Sequence, residues 1–306
     1  MEETRVVSGG ADAHLRNWTI DPLNQQIDLS LANSIYVIDV STDGYIIATG
    51  EGGWKGHAGA DTFRIWQADG MELLQMQRPD VGYVYSLALS PDTDTDNKWA
   101  IATGFYGKLA VHQLNFTTST LDLYATTATK KKRTKAVDFS PDGSLVASAS
   151  TGGIQLRSFP DYCYPGDCEL DLLQTLSHSG SWSFSTVFAP DSTLKYIELA
   201  SGTDSGTIKI WTIKNLYTNP TNPTVSVRSA DSDSVYSLAW SPDGSMIVAG
   251  GSGDITVYNS TDLSILFQNV DAHAGRVNDV AVSPDGSMIV SGGEDGALKL
   301  WMIPPP

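Results

Sequence analysis

The chain has 306 residues, 41% of them hydrophobic and 18% charged, with a net charge of −16. This balance fits a globular β protein rather than a disordered one, and the acidic surplus repels phosphate backbones, which argues against general nucleic-acid binding. No apolar run approaches the roughly 20 residues that a membrane-crossing helix needs, and the start, Met1-Glu2-Glu3-Thr4-Arg5, has no apolar leader. Basic partners suit such a charge; so does the plainer task of keeping a large β surface soluble and its strands apart.

In chain order, residues 5–8 predict a second strand and residues 15–18 a third strand of a first unit. From there one short phrase recurs: Ser41-Thr42-Asp43-Gly44, Ser90-Pro91-Asp92, Ser140-Pro141-Asp142-Gly143, Ala189-Pro190-Asp191, Ser241-Pro242-Asp243-Gly244 and Ser283-Pro284-Asp285-Gly286. Copies lie 42 to 52 residues apart, which is the length of one four-stranded unit. Each phrase is a turn between two strands, and a further strand follows at 63–66, 109–112, 154–157, 208–211, 255–258 and 298–301. In the last unit 277–282 goes in, 288–291 returns, Glu294-Asp295-Gly296 turns and Leu298-Lys299-Leu300-Trp301 goes out, while 265–269 supplies a fourth strand before it. Turn chemistry every eight to twelve residues marks antiparallel meanders.

His273-Ala274-Gly275-Arg276-Val277-Asn278-Asp279-Val280, the Ser-Pro-Asp-Gly phrase, Ser291-Gly292-Gly293-Glu294-Asp295 and the closing Leu-Lys-Leu-Trp301 resemble a WD-repeat of a β-propeller. The resemblance covers nearly the whole chain and implies an all-β, seven-bladed propeller of four-stranded antiparallel blades. The units are approximately 1–32, 33–80, 81–128, 129–178, 179–232, 233–272 and 273–306, in a single domain. It also implies a buried hydrogen-bond network of His273, Ser291, Asp295 and Trp301 within a blade, a structural role. Other units match in part: His178, Ser201 and Trp211 with Ser205 or Asp204 near the acid's place; Thr49 and Trp66; Ser8, Asp12 and Trp18. His112, Arg157 and Tyr258 stand where Trp is expected.

Seven third strands but only six first strands are present, so the first blade lacks its inner strand and the last its outer one. Pro304-Pro305-Pro306 cannot donate the amide hydrogens of another strand. Either the sequence is part of a longer chain, or a partner or second copy donates strands to an open propeller.

In WD-repeat proteins partners commonly meet the narrow end, at the start of each inner strand and at the turn between the second and third strands. By alignment on the Ser-Pro-Asp phrase, those places are Tyr36, Tyr85, Lys135, Phe184, Tyr236 and Asn278 at strand starts. Two residues earlier stand Tyr83, Arg133, Trp182 and Arg276, and Phe105 and Glu294 lie at the turns. Tyr, Trp and Arg dominate binding hot spots, and aromatic faces can hold a cationic side chain. These residues predict a non-catalytic platform for a protein or peptide, with a basic one favoured; the alternatives are a structural assembly subunit or a ligand-binding or hydrolytic propeller with a site in its funnel.

No catalytic residues, metal site or cofactor are expected: no His-Glu-x-x-His helix, Gly-Lys-Ser/Thr loop or Gly-x-Ser-x-Gly elbow occurs. Asp92, Asp94 and Asp96 are spaced like the opening of a calcium loop but lack its glycine and closing glutamate. The Gly-rich stretch 52–59 reads as a loop. Lys130-Lys131-Lys132-Arg133-Thr134-Lys135 is a basic run leading to the same narrow end, suited to an acidic segment, a phosphate or a nuclear address, or equally to a solvated loop. Cys163 and Cys168 flank a Pro-Gly turn; without a leader they read as free thiols of a cytoplasmic protein, with a hairpin disulfide the alternative. The sequons at Asn17, Asn115 and Asn259 are too short a pattern to alter that reading.

Overall fold

The computed structural model describes residues 5–20, 23–52, 62–77, 84–91, 98–115, 118, 120–159, 169–193, 196–216, 224–231 and 234–303. All regular structure among them is strand, and no helix is long and apolar enough to cross a membrane. The strands group into six antiparallel sheets. The first is β1 (Arg5–Gly9), β2 (His14–Ile20) and β3 (Leu23–Ser30); the second is β4 (Ser34–Val40), β5 (Ile46–Gly52), β6 (Thr62–Gln67) and β7 (Glu72–Gln77). The third holds β8 (Ser86–Leu89), β9 (Lys98–Asn115) and β10 (Thr120–Arg133). The fourth runs β11 (Ala136–Phe139), β12 (Leu145–Ser158), β13 (Leu172–Phe188), β14 (Tyr196–Thr203), β15 (Thr207–Lys214) and β16 (Thr224–Asp231). The fifth is β17 (Ser237–Trp240), β18 (Met246–Gly250), β19 (Ile255–Asn259) and β20 (Ile265–Asn269); the sixth is β21 (Val277–Val282), β22 (Met288–Gly293) and β23 (Leu298–Met302). In each, strands adjacent in the chain are adjacent in the sheet, which is the expected meander.

The recurrent phrase builds the turn by local hydrogen bonding. Ser41 Oγ donates to Asp43 Oδ1 at 2.6 Å and accepts the Ile46 N–H at 2.8 Å, while Gly44 N–H closes on the Ser41 carbonyl at 2.8 Å. The same pattern holds Ser140 to Asp142 at 2.7 Å, Ser241 to Asp243 at 2.6 Å and Ser283 to Asp285 at 2.6 Å. Gly44, Gly143, Gly244 and Gly286 all sit near φ +72°, a left-handed conformation that costs glycine nothing.

Six sheets stand where the sequence predicts seven blades. β13 pairs along its first half with β12 (Leu156↔Gln174, Gly153↔Ser177) and along its second half with β14 (Ser185↔Gly202, Phe188↔Leu199). Pairing continues through Thr151↔Trp182, so no break separates the predicted fourth and fifth units and they form one six-stranded sheet. Two other predicted strand pairs appear as single long strands that fold back on themselves. In β9 the Thr103 hydroxyl donates to the Ala110 carbonyl at 3.3 Å, and the ends of β12 meet where Phe159 N–H donates to the Ser144 carbonyl at 2.7 Å.

The described residues divide into two compact units, residues 1–134 with 162–169 and residues 135–161 with 170–306. Within each, sheets pack face to face through apolar clusters. Ile46, Phe63, Ile65, Val84, Leu87 and Ile101 join the second and third sheets in the first unit. In the second unit, Ala200, Ile208, Val235, Leu238, Ile247 and Tyr258 join the fourth and fifth sheets, and Val248, Ile255, Val277, Val280 and Ile289 the fifth and sixth.

A repeated notch sets the spacing. The residue six places before each Ser-Pro-Asp phrase is buried at Ile35, Val84, Thr134, Ser183, Val235 and Val277. At five of these a glycine of the preceding sheet receives it. A Cβ on Gly9, Gly50, Gly104, Gly202 or Gly250 would lie 2.8, 2.7, 2.9, 2.3 or 2.8 Å from Ile35, Val84, Thr134, Val235 or Val277, respectively. Carboxylates add stitches: Asp39 Oδ2 of the second sheet accepts the Leu89 N–H of the third, and Asp138 Oδ2 accepts the Phe188 N–H within the fourth sheet, both at 2.7 Å.

Candidate binding face and the buried polar networks

Strand alternation aims the predicted binding residues. With the sixth residue before each phrase buried, the fifth must point the other way. Its backbone is fixed as well: the N–H groups of Tyr85, Lys135 and Tyr236 donate to the carbonyls of Gly104, Ala149 and Gly250, each at 2.9 Å.

In the second unit these side chains touch one after another in chain order. Lys135 Nζ lies 5.4 Å from the centre of the Phe184 ring, Phe184 and Tyr236 are 5.5 Å apart, and Arg276 Cζ sits 4.9 Å over Tyr236. Arg276 Nε donates to Asn278 Oδ1 at 2.9 Å. Trp182 is held beside them by Asp204, whose Oδ1 accepts the Trp182 N–H at 3.1 Å and whose N–H returns to the Trp182 carbonyl at 3.0 Å. Glu294 N–H donates to the Arg276 carbonyl at 2.8 Å and its carboxylate accepts the Arg276 N–H at 3.5 Å. In the first unit Arg133 Cζ lies 5.4 Å over Tyr85, and Tyr36 is 57% exposed.

Two predicted members do not join this surface as described. Phe105 is only 1% exposed and packs in the core with Val84 and Leu87, because it ends the inward-facing series of its strand. Tyr83 lies outside the described residues, as do residues 53–59, 92–97 and both cysteines; the side chains of Lys130, Lys131 and Lys132 are likewise outside them. What sequence reasoning missed is that the rings carry the chain's own cations. The signal was present in Arg133 and Arg276, each two residues before a strand start and so one alternation step from the ring of the preceding unit.

The structural network assembles in the sixth sheet. His273 Nε2 and Trp301 Nε1 both reach Ser291 Oγ, at 2.7 and 2.8 Å, and His273 Nδ1 meets Asp295 Oδ1 at 2.9 Å. The His273 contact, with backbone N–H groups of Ala297 and Ala274, holds the Asp295 carboxyl far below its ordinary range. Elsewhere the network is partial. His178 and Trp211 share Ser201 Oγ at 2.7 Å each, without an acid, since Asp204 has turned to Trp182. Trp66 Nε1 donates to Thr49 at 3.0 Å and Trp18 Nε1 to Ser8 at 2.8 Å, while Asp12 pairs with Arg16 at 2.7 Å.

The second sheet replaces the histidine with an ion pair. Glu51, two residues past Thr49, occupies the place of Gly293, where any Cβ would sit 2.2 Å from His273 Nδ1. A side chain there and a histidine exclude one another. Glu51 is fully buried and bonded to Arg64, with Oε2 unpartnered; burial raises its carboxyl and Arg64 opposes that rise. At the missing-Trp places, His112 packs 4.8 Å from Phe63 and burial lowers its imidazole to about 4, with Lys108 adding to the shift. Arg157 donates to the Leu170 carbonyl at 2.7 Å, and Tyr258 is core. Among the described residues no group of three or more His, Cys, Asp or Glu is placed to hold a metal ion.

The family model described as "WD domain, G-beta repeat" matches four segments, residues 126–156, 170–212, 222–259 and 265–302. A chain in a structure described as "Crystal Structure of Mitotic Checkpoint Complex" superposes with a TM-score of 0.75 at 17% identity, over 99% of this chain and 88% of that one. No curated protein matches by sequence. At that identity the likeness shows the fold alone.

Proposed function

Since the chain belongs to the WD-repeat β-propeller family, whose members are generally protein-interaction scaffolds, we propose that it is a non-catalytic platform binding a protein or peptide across the strand-start end of its sheets. The observation that carries this is the continuous contact from Lys135 through Phe184 and Tyr236 to Arg276. Rings held at fixed spacing by backbone anchors supply contact area with little entropy left to lose on binding. That the similar chain comes from a structure of a complex agrees with a partner-binding role.

The test is capture from the native source by wild type and by the triple variant Tyr85→Ala, Trp182→Ala, Tyr236→Ala. Partners held by wild type should be lost from the variant while its circular dichroism is unchanged; undiminished capture rejects this face. A second reading rests on the first and sixth sheets, each of three strands where the second and fifth have four. A partner strand added there would make the chain an assembly subunit. Under that reading the purified chain sediments as an oligomer or gains a strand-donating partner; a stable monomer that binds only through the rings rules it out.

A further inference from the structure

Resting on the platform reading, we propose that the strip formed by Lys135, Phe184, Tyr236 and Arg276 takes an acidic peptide, with Arg276 receiving one of its carboxylates. The net charge of −16 alone points to basic partners, yet three of the rings that would grip a cation, Tyr85, Phe184 and Tyr236, are already faced by the chain's own. Lys135 covers Phe184, Arg276 covers Tyr236, and Arg133 covers Tyr85 in the first unit. A peptide lysine or arginine would have to displace them and enter a locally positive site.

The acids at this end are turned to other duties. Glu294 accepts the Arg276 backbone N–H, Asp204 accepts that of Trp182, and Asp279 accepts the Ser237 hydroxyl at 2.8 Å and its neighbour's N–H, that of Val280, at 3.0 Å. Among the described residues no carboxylate oxygen lies within salt-bridge distance of the Arg276 guanidinium, which is exposed. Stacking on Tyr236 and the bond from Nε to Asn278 fix its plane. Its two terminal nitrogens are then the fork that a carboxylate matches with two parallel bonds. Such a guanidinium gives up little freedom when an anion docks.

A display library of random linear dodecapeptides selected on the full chain tests this. The recovered pool should be enriched in Asp and Glu, and a synthetic representative should bind Arg276→Glu at least about tenfold more weakly than wild type. Changing its critical Glu to Gln should weaken binding to wild type by a similar factor and cause no further loss on Arg276→Glu, which is the signature of one shared contact. A neutral or basic pool, binding indifferent to Arg276→Glu, or binding that requires phosphoserine in place of Glu overturns the assignment. An empty pool on folded wild type defeats the platform reading too. A pool lost on Tyr236→Ala but unaffected by Arg276→Glu defeats only this inference.

Discussion

At the scale of single residues, the partial networks behave as compensated substitutions. Ser291 accepts from Trp301 and contacts His273, so Ser291→Ala strands one buried and one half-buried polar group and should cost about 2 kcal/mol, measured by urea unfolding. Glu51→Ala leaves Arg64 partly buried without its counter-charge and should cost about 3 kcal/mol or more, whereas Glu51→Leu with Arg64→Leu should recover most of it. If the double variant is no better than the single, the pair is not the unit argued here.

Acid acts through His112 and His178, both held down to about 4, first by burial and then by Lys108 and Lys209. A depressed folded pKa means that the unfolded chain takes up protons first. The stabilisation is therefore complete above about pH 6.5 and drains away as pH falls to about 4, by roughly 2–3 kcal/mol per histidine. The melting temperature should drop between pH 7 and pH 5, and His112→Phe should flatten that slope.

At the scale of elements, notch and knob form one device repeated along the chain. Gly250→Ala puts a methyl 2.8 Å from Val277 and Gly202→Ala one 2.3 Å from Val235; each should cost about 1–3 kcal/mol. Val277→Ala in the Gly250→Ala background should restore part of the loss, and no restoration would remove the notch as the cause. The last turn is sturdier toward acid. Ser283 and the N–H and hydroxyl of Ser287 hold the Asp285 carboxyl to about 2, so its contribution is whole above about pH 4 and drains away as pH falls through about 2. The glycines of the notches stand in plain view in the sequence, but only the buried residue across from each explains them. Likewise the aromatic strand starts could be read from the repeat, whereas Phe105 was misplaced because its turn is continuous with a core strand.

At the scale of the whole molecule, a net charge of −16 on 306 residues repels itself. Raising NaCl from about 0.02 M to about 0.3 M should raise the melting temperature by a few degrees; a fall would show that local ion pairs such as Asp12–Arg16 outweigh the general repulsion.

The amino-acid order alone determined the meander, the turn chemistry and the positions of the strand starts. Those features depend on alternation and on hydrogen bonds spanning two to five residues, which a linear pattern encodes. Tertiary structure decided what only contacts in three dimensions settle: that β13 carries pairing through from one predicted unit to the next, that Glu51 fills the space a histidine leaves, and that Arg276 lies on Tyr236. Packing against a neighbour whose distance in sequence is fixed but whose side chains vary is settled by volume and charge in three dimensions, so the same repeat can present rings bare or already covered.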